Sequence, residues 1–128
     1  MNTDSFREWL ERYEQAWEGR DPEAAAGLFT VDATYQEIPS SEPMRGREAI
    51  RAYWAEVPQT QERVEFRSEL VRVTEGLGVA QWHASFIRVT TRVRVELDGV
   101  FIVRLNESGE CTEFNEWWHR QEQGPISA

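Results

Sequence analysis

Glu37, Glu116 and Tyr13 are the residues whose types and surroundings could move protons. Glu37 lies in Tyr35-Gln36-Glu37-Ile38-Pro39, where a short strand runs into a loop. An acid there is either a base inside a cavity or a charge on its rim. Burial against an apolar wall would raise its pKa and make it a usable base near neutrality. Glu116 lies in Phe114-Asn115-Glu116-Trp117-Trp118-His119. On a strand, period two puts it on one face with Phe114 and Trp118. If that face is buried, the carboxyl must be protonated, paired or reached by water. Arg88 shares parity with Trp82 and Phe86 and is a candidate partner. Glu116 is thus a functional acid, half of a structural ion pair, or an outward-facing residue. Tyr13 shares a helical stripe with Trp9 and Trp17, as a core tyrosine or as a donor to a reacting oxygen.

Other chemistries find little support. His83 and His119 fall on the opposite sheet face, with Gln81, Asn115 and Trp117, which fits a sheet or dimer surface better than catalysis; a one-residue slip would reverse that assignment. Two histidines and scattered acids give no metal-ligand spacing, and a lone Cys111 excludes an internal disulfide. There is no glycine-rich phosphate loop and no nucleophile elbow. No cofactor is expected. The formal charge of −9 argues against a nucleic-acid partner. Arg88, Arg92 and Arg94 are followed at once by Glu96 and Asp98, as on a solvated strand face. No apolar run approaches the roughly 18 residues of a membrane helix, and the N-terminus lacks a signal-peptide core. A cytoplasmic protein with no membrane partner is expected.

The elements that must position these residues follow from periodicity. At 128 residues the chain is long enough for one domain with its own core. Phe6, Trp9, Leu10, Tyr13 and Trp17 recur at helical spacing, with Thr3, Asp4 or Ser5 as cap and Gly19 as stop. Asp21 and Pro22 open a second helix, Glu23 to Phe29. Ala33 to Ile38 reads as a strand, Pro39 to Arg45 as a loop, and Gly46 to Val57 as a third helix. After Pro58 the period becomes two: three strands follow, and Cys111 to Arg120 forms the last. Helices followed by antiparallel strands make an α+β order. Residues 1–120 form the predicted domain and 121–128 a frayed tail.

That order resembles the nuclear transport factor 2-like superfamily, and three segments carry the resemblance. Leu28-Phe29-Thr30-Val31-Asp32-Ala33-Thr34-Tyr35 resembles its entry into the first strand. Met44-Arg45-Gly46-Arg47-Glu48-Ala49-Ile50 resembles its Gly-Arg-Glu-x-Ile start of the third helix. Asp98 to Leu105, followed by Ser108-Gly109-Glu110, resembles the hairpin before the last strand. The sequence looks closest to the SnoaL-like polyketide cyclase and ketosteroid isomerase branches.

The resemblance implies a cone-shaped, curved antiparallel or mixed sheet wrapped around N-terminal helices, a cystatin-like α+β barrel. It also implies a homodimer and a small hydrophobic molecule bound inside the cone. Tyr13 matches the family tyrosine of the first helix, and Glu37 falls where ketosteroid isomerases carry their base. Their second oxyanion donor falls at Phe101, which cannot donate. Asp98 has the opposite parity and would need a bulge at Gly99 to turn inward. Phe114 and Trp118 match cavity-lining positions, which places Glu116 in the cavity too. The expected walls are Trp17, Tyr35, Trp54, Trp82, Phe86, Phe101, Phe114 and Trp118. Two functions fit: a cofactor-independent acid/base catalyst of isomerase, cyclase or dehydratase type, or a binding or assembly module with the same pocket. A dimer is also expected from the outer sheet face, where Ile87 and Trp117 accompany His83 and Ser85.

Overall fold

The computed structural model describes residues 1–125. Helix α1 spans Thr3–Glu18 and buries Phe6, Trp9, Leu10, Tyr13 and Trp17. Its cap is Asn2, one residue before those expected. The Asn2 side chain accepts from the Ser5 amide at 2.8 Å while Ser5 Oγ accepts from the Asn2 amide at 3.0 Å. Helix α2, Pro22–Ala26, starts on Asp21 as its composition requires. It stops three residues short of the expected end, because Phe29 already belongs to strand β1, Phe29–Gln36.

The segment read as a loop contains a two-residue strand, β2, Met44–Arg45, paired antiparallel to β1. Gly46, at φ 93°, then turns the chain into α3, Arg47–Trp54. That left-handed conformation strains any residue with a Cβ. The Arg47 side chain donates twice to the Phe29 carbonyl, at 3.0 and 2.7 Å, so the arginine of the Gly-Arg-Glu motif pins α3 to β1. A short α4, Val57–Thr60, follows where a longer third helix was expected.

The remaining strands are β3 (Gln61–Thr74), β4 (Leu77–Arg88), β5 (Val93–Leu105) and β6 (Cys111–Pro125). They form one curved six-stranded sheet in the order β2-β1-β6-β5-β4-β3, with helices from the N-terminal half packed on it. All pairings are antiparallel except β1 with β6. The last strand therefore corrects one boundary. It runs five residues past Arg120, through much of the segment expected to fray, and Ile126 to Ala128 lie outside the described residues.

The core between α1 and the sheet is aromatic. Tyr13 packs on Phe101 at 5.0 Å and on Phe66 at 5.2 Å between ring centroids, and Phe114 stacks on Tyr35 at 4.3 Å. Each such pair adds about 0.5–1.5 kcal/mol beyond burial of its area. The outer sheet face is less apolar than expected. Ile87 and Ser85 are already buried within the chain, which leaves Trp117, 44% exposed, as the large apolar group there.

Candidate functional site

The sheet and helices enclose a cavity of about 240 Å³. Alternation along three elements builds it. On β6, Glu116, Trp118 and Arg120 point into it in turn. On β4, Trp82, Phe86 and Arg88 do the same, and on α1 Tyr13 and Trp17 stand one helical turn apart.

Glu116 is the floor. It is 5% exposed, and with Ser85 it is one of two buried polar side chains among the described residues. The expected partner does not reach it: Arg88 pairs with Glu122 instead, at 2.9 Å. Its partner is Tyr35, whose hydroxyl lies 3.3 Å from Glu116 Oε2. Burial drives the Glu116 pKa well above the usual 4.5; the Tyr35 hydrogen bond opposes the rise and the charge of Glu37 adds to it. A group held this way keeps its proton to higher pH than an exposed carboxyl does.

Three tyrosines surround it. Burial first, and the Glu116 charge second, push the Tyr13, Tyr35 and Tyr53 hydroxyls well above their normal range. For all three burial is the largest cause, and it keeps them protonated. All three are therefore donors at any working pH. The Tyr13 hydroxyl interacts with that of Tyr35, and Tyr53 with the Glu37 carboxylate. Glu37 sits just past the end of β1, half-buried. Its carbonyl accepts from Trp118 Nε1 at 3.0 Å, so the last strand holds the loop that carries it. On the far side, Trp17 Nε1 donates to Gln61 Oε1 at 2.8 Å. The indole N–H groups of Trp54 and Trp82 are buried with no acceptor among the described residues, which costs about 1–3 kcal/mol each.

Tyr13, Trp17, Tyr35, Glu37, Trp54, Trp82, Phe86, Glu116 and Trp118 thus all line one cavity. Phe101 and Phe114 do not. They lie beneath it, 0% exposed, packed against Tyr13. Asp98 stays outside: the β4–β5 register runs without a bulge through Gly99, and Asp98 Oδ1 pairs with His83 Nδ1 at 2.7 Å on the outer face. His119 is exposed there too. Tyr53 and Arg120 were not anticipated in the wall, and Arg88 was expected on that face only as the partner of Glu116. Strand parity contains both arginines, four residues beyond Glu116 and two beyond Phe86. Tyr53 shares its helix with Trp54, where either neighbour could have turned inward.

Among the described residues, no group of three or more His, Cys, Asp or Glu is arranged to hold a metal, and no helix is long and apolar enough to cross a membrane. Residues 10–114 match a family described as the SnoaL-like domain. No curated protein matches the sequence. Among solved structures, the chain is similar to SalBIII, an epoxide hydrolase/cyclase-like enzyme with a role in pyran ring formation in the polyether salinomycin. The two share 20% identity over 88% of this chain and 89% of that one, with a TM-score of 0.78. A Bacillus subtilis protein provisionally assigned as an isomerase gives 16% identity, 93% and 90% coverage, and a TM-score of 0.81. A Mycobacterium tuberculosis protein gives 14%, 96% and 99%, and 0.82. At these identities the likeness establishes the fold, and the chemistry must be argued from the site.

Proposed function

The chain belongs to the SnoaL-like domain family of the nuclear transport factor 2-like superfamily, and from that premise we propose that it is an acid/base enzyme moving protons on a small, largely apolar substrate. The observation that carries this reading is Glu116, a buried carboxyl at the floor of an aromatic cavity, its pKa raised by burial, with a second carboxyl, Glu37, in the same wall.

The two carboxyls occupy unlike surroundings, as acid and base must. Glu116 donates its proton, or a strong hydrogen bond, to a substrate oxygen as negative charge develops there. Tyr35 and Tyr13 stand behind it as further donors. Glu37, half-buried near the opening, takes the proton released elsewhere on the substrate and can exchange it with solvent. Enolisation of a ketone, and ring closure on an epoxide or carbonyl, both need this pairing. SalBIII is described as epoxide hydrolase/cyclase-like with a role in pyran ring formation, and the Bacillus subtilis protein provisionally as an isomerase. Neither step calls for a cofactor. The volume, below the roughly 300–1,000 Å³ of sites for drug-sized ligands, suits a one- or two-ring compound better than a tetracycle.

A binding module with no turnover is the second reading. Phe101 favours it, because a second oxyanion acid is replaced there by a fully buried ring. Titrating β-naphthol, a phenol that mimics an enol, tests the main reading between pH 5 and 9. Wild type should bind it with a pH dependence that Glu116→Gln flattens and Glu37→Gln shifts. Identical curves for all three proteins would remove both carboxyls from the mechanism.

A further inference from the structure

The mouth of the cavity carries a chemistry that its floor does not use. Along β6 alternate residues run Glu116, Trp118, Arg120 and Glu122; along β4 they run Trp82, Ala84, Phe86 and Arg88. Each strand passes from aromatic wall to arginine at the same end. The two guanidinium groups meet on one carboxylate. Arg88 Nη2 lies 2.9 Å from Glu122 Oε1, and Arg120 Nε lies 3.7 Å from Glu122 Oε2. Two cations share a single anion, and both line the cavity while Glu122 does not. A guanidinium offers five N–H donors in a planar fork, so most of the donors of this pair are free. Two carboxylates near the opening also line the cavity, Glu37 from just past the end of β1 and Glu56 from just ahead of α4, so the acids and the two arginines come from different elements.

We propose that Arg88 and Arg120 form an anion subsite that takes a carboxylate on the substrate, making the substrate class a small amphipathic acid whose apolar body lies on Trp82, Phe86 and Trp118 and whose reacting oxygen meets Glu116. This rests on the reading of the cavity as a substrate site and specifies which end enters first. Arg120 follows Glu116 by four residues, about 13 Å along the strand. Two fused rings with a hydroxyl at one end and a carboxylate at the other span that distance once both side chains reach inward. Glu122 occupies the subsite in the absence of ligand and is displaced, or shares the arginines, when the acid arrives.

Two probes separate this subsite from the cavity itself: β-naphthol, and the hydroxynaphthoate that carries a carboxylate on its far ring. Their affinities are compared at pH 7 and low salt by tryptophan quenching or calorimetry. Wild type should prefer the naphthoate by about tenfold, the scale of a charge-assisted pair at a partly wet site. The preference should fall to near unity in the Arg88→Gln, Arg120→Gln double variant. It should rise several-fold in Glu122→Gln, a direction that simple damage to the fold would not produce. Added salt should erode it, since the arginines are partly exposed. Binding of naphthol with no preference for the naphthoate, or a preference that survives loss of both arginines, overturns the subsite alone. Binding of neither probe overturns the subsite and the substrate cavity together.

Discussion

Glu116 binds a proton in the folded chain that it releases in the unfolded one, and the sign of the consequence follows. Its folded pKa is raised, so the stability linked to that proton is fully present below about pH 4.5. It is lost as pH climbs from there through the folded pKa. Across that window wild type should lose about 1.4 kcal/mol per pH unit relative to Glu116→Gln, which has no proton to lose. The two proteins should melt alike near pH 4 and diverge above it, with the glutamine variant the more stable. Parallel melting curves from pH 4 to 8 would mean that Glu116 titrates as an exposed acid does. Tyr35→Phe supplies a second check at this scale. It removes the 3.3 Å hydrogen bond, which should cost about 1 kcal/mol. It should also move the Glu116 titration further upward, because that bond opposes the rise. A downward shift, read from the pH dependence of naphthol binding, would contradict the arrangement.

Between elements, the decisive contact is the approach of β6, β5 and β4 around Gly99. A Cβ there would lie 2.3 Å from the Trp117 carbonyl and 2.8 Å from the Trp82 indole. Gly99 lets the Trp82 ring lie flat against its own sheet and stack on Phe101 at 5.1 Å. Gly99→Ala should therefore destabilise the protein by about 1–3 kcal/mol and shift the wall that Trp82 forms. Melting temperature and probe affinity should fall together; an alanine variant with unchanged melting would show that the sheet absorbs the methyl group. The same region marks how far the sequence could be read. Period two grouped Trp82 with Phe86 and Glu116 with Trp118, and the family resemblance put both groups in the cavity. Pairing was not legible: the carboxyl floor meets Tyr35, which enters from a parallel neighbour 81 positions earlier, and Arg88 answers to Glu122. Boundaries failed where two signals overlap. Phe29 fits the stripe of α2 and also the first position of β1, and its carbonyl is claimed by Arg47, a tertiary contact no local pattern contains.

For the molecule as a whole, the α+β order was legible because helical and alternating periods are segregated along the chain, while its assembly was not. The outer face leaves Trp117 44% exposed, with His83 flanked by Asp98 and Glu96 beside it. A homodimer through this face would cover the indole. Sedimentation at micromolar concentration should then give about twice 15.0 kDa, and Trp117→Glu should give the single chain. A wild-type species at the single-chain mass would end that expectation.

The one parallel pairing has a consequence for the order in which this protein can assemble. Tyr35 meets Glu116, and Trp118 meets Glu37, across a sequence separation of 81 in each case. Closing so long a loop carries an entropic cost that local helices and hairpins formed beforehand reduce but do not remove. A polypeptide emerging from the ribosome can form α1, α3 and the β3–β4 hairpin while β6 is still unmade. Through that interval the aromatic walls stand without their acid, so the site is the last part of the molecule to come into being.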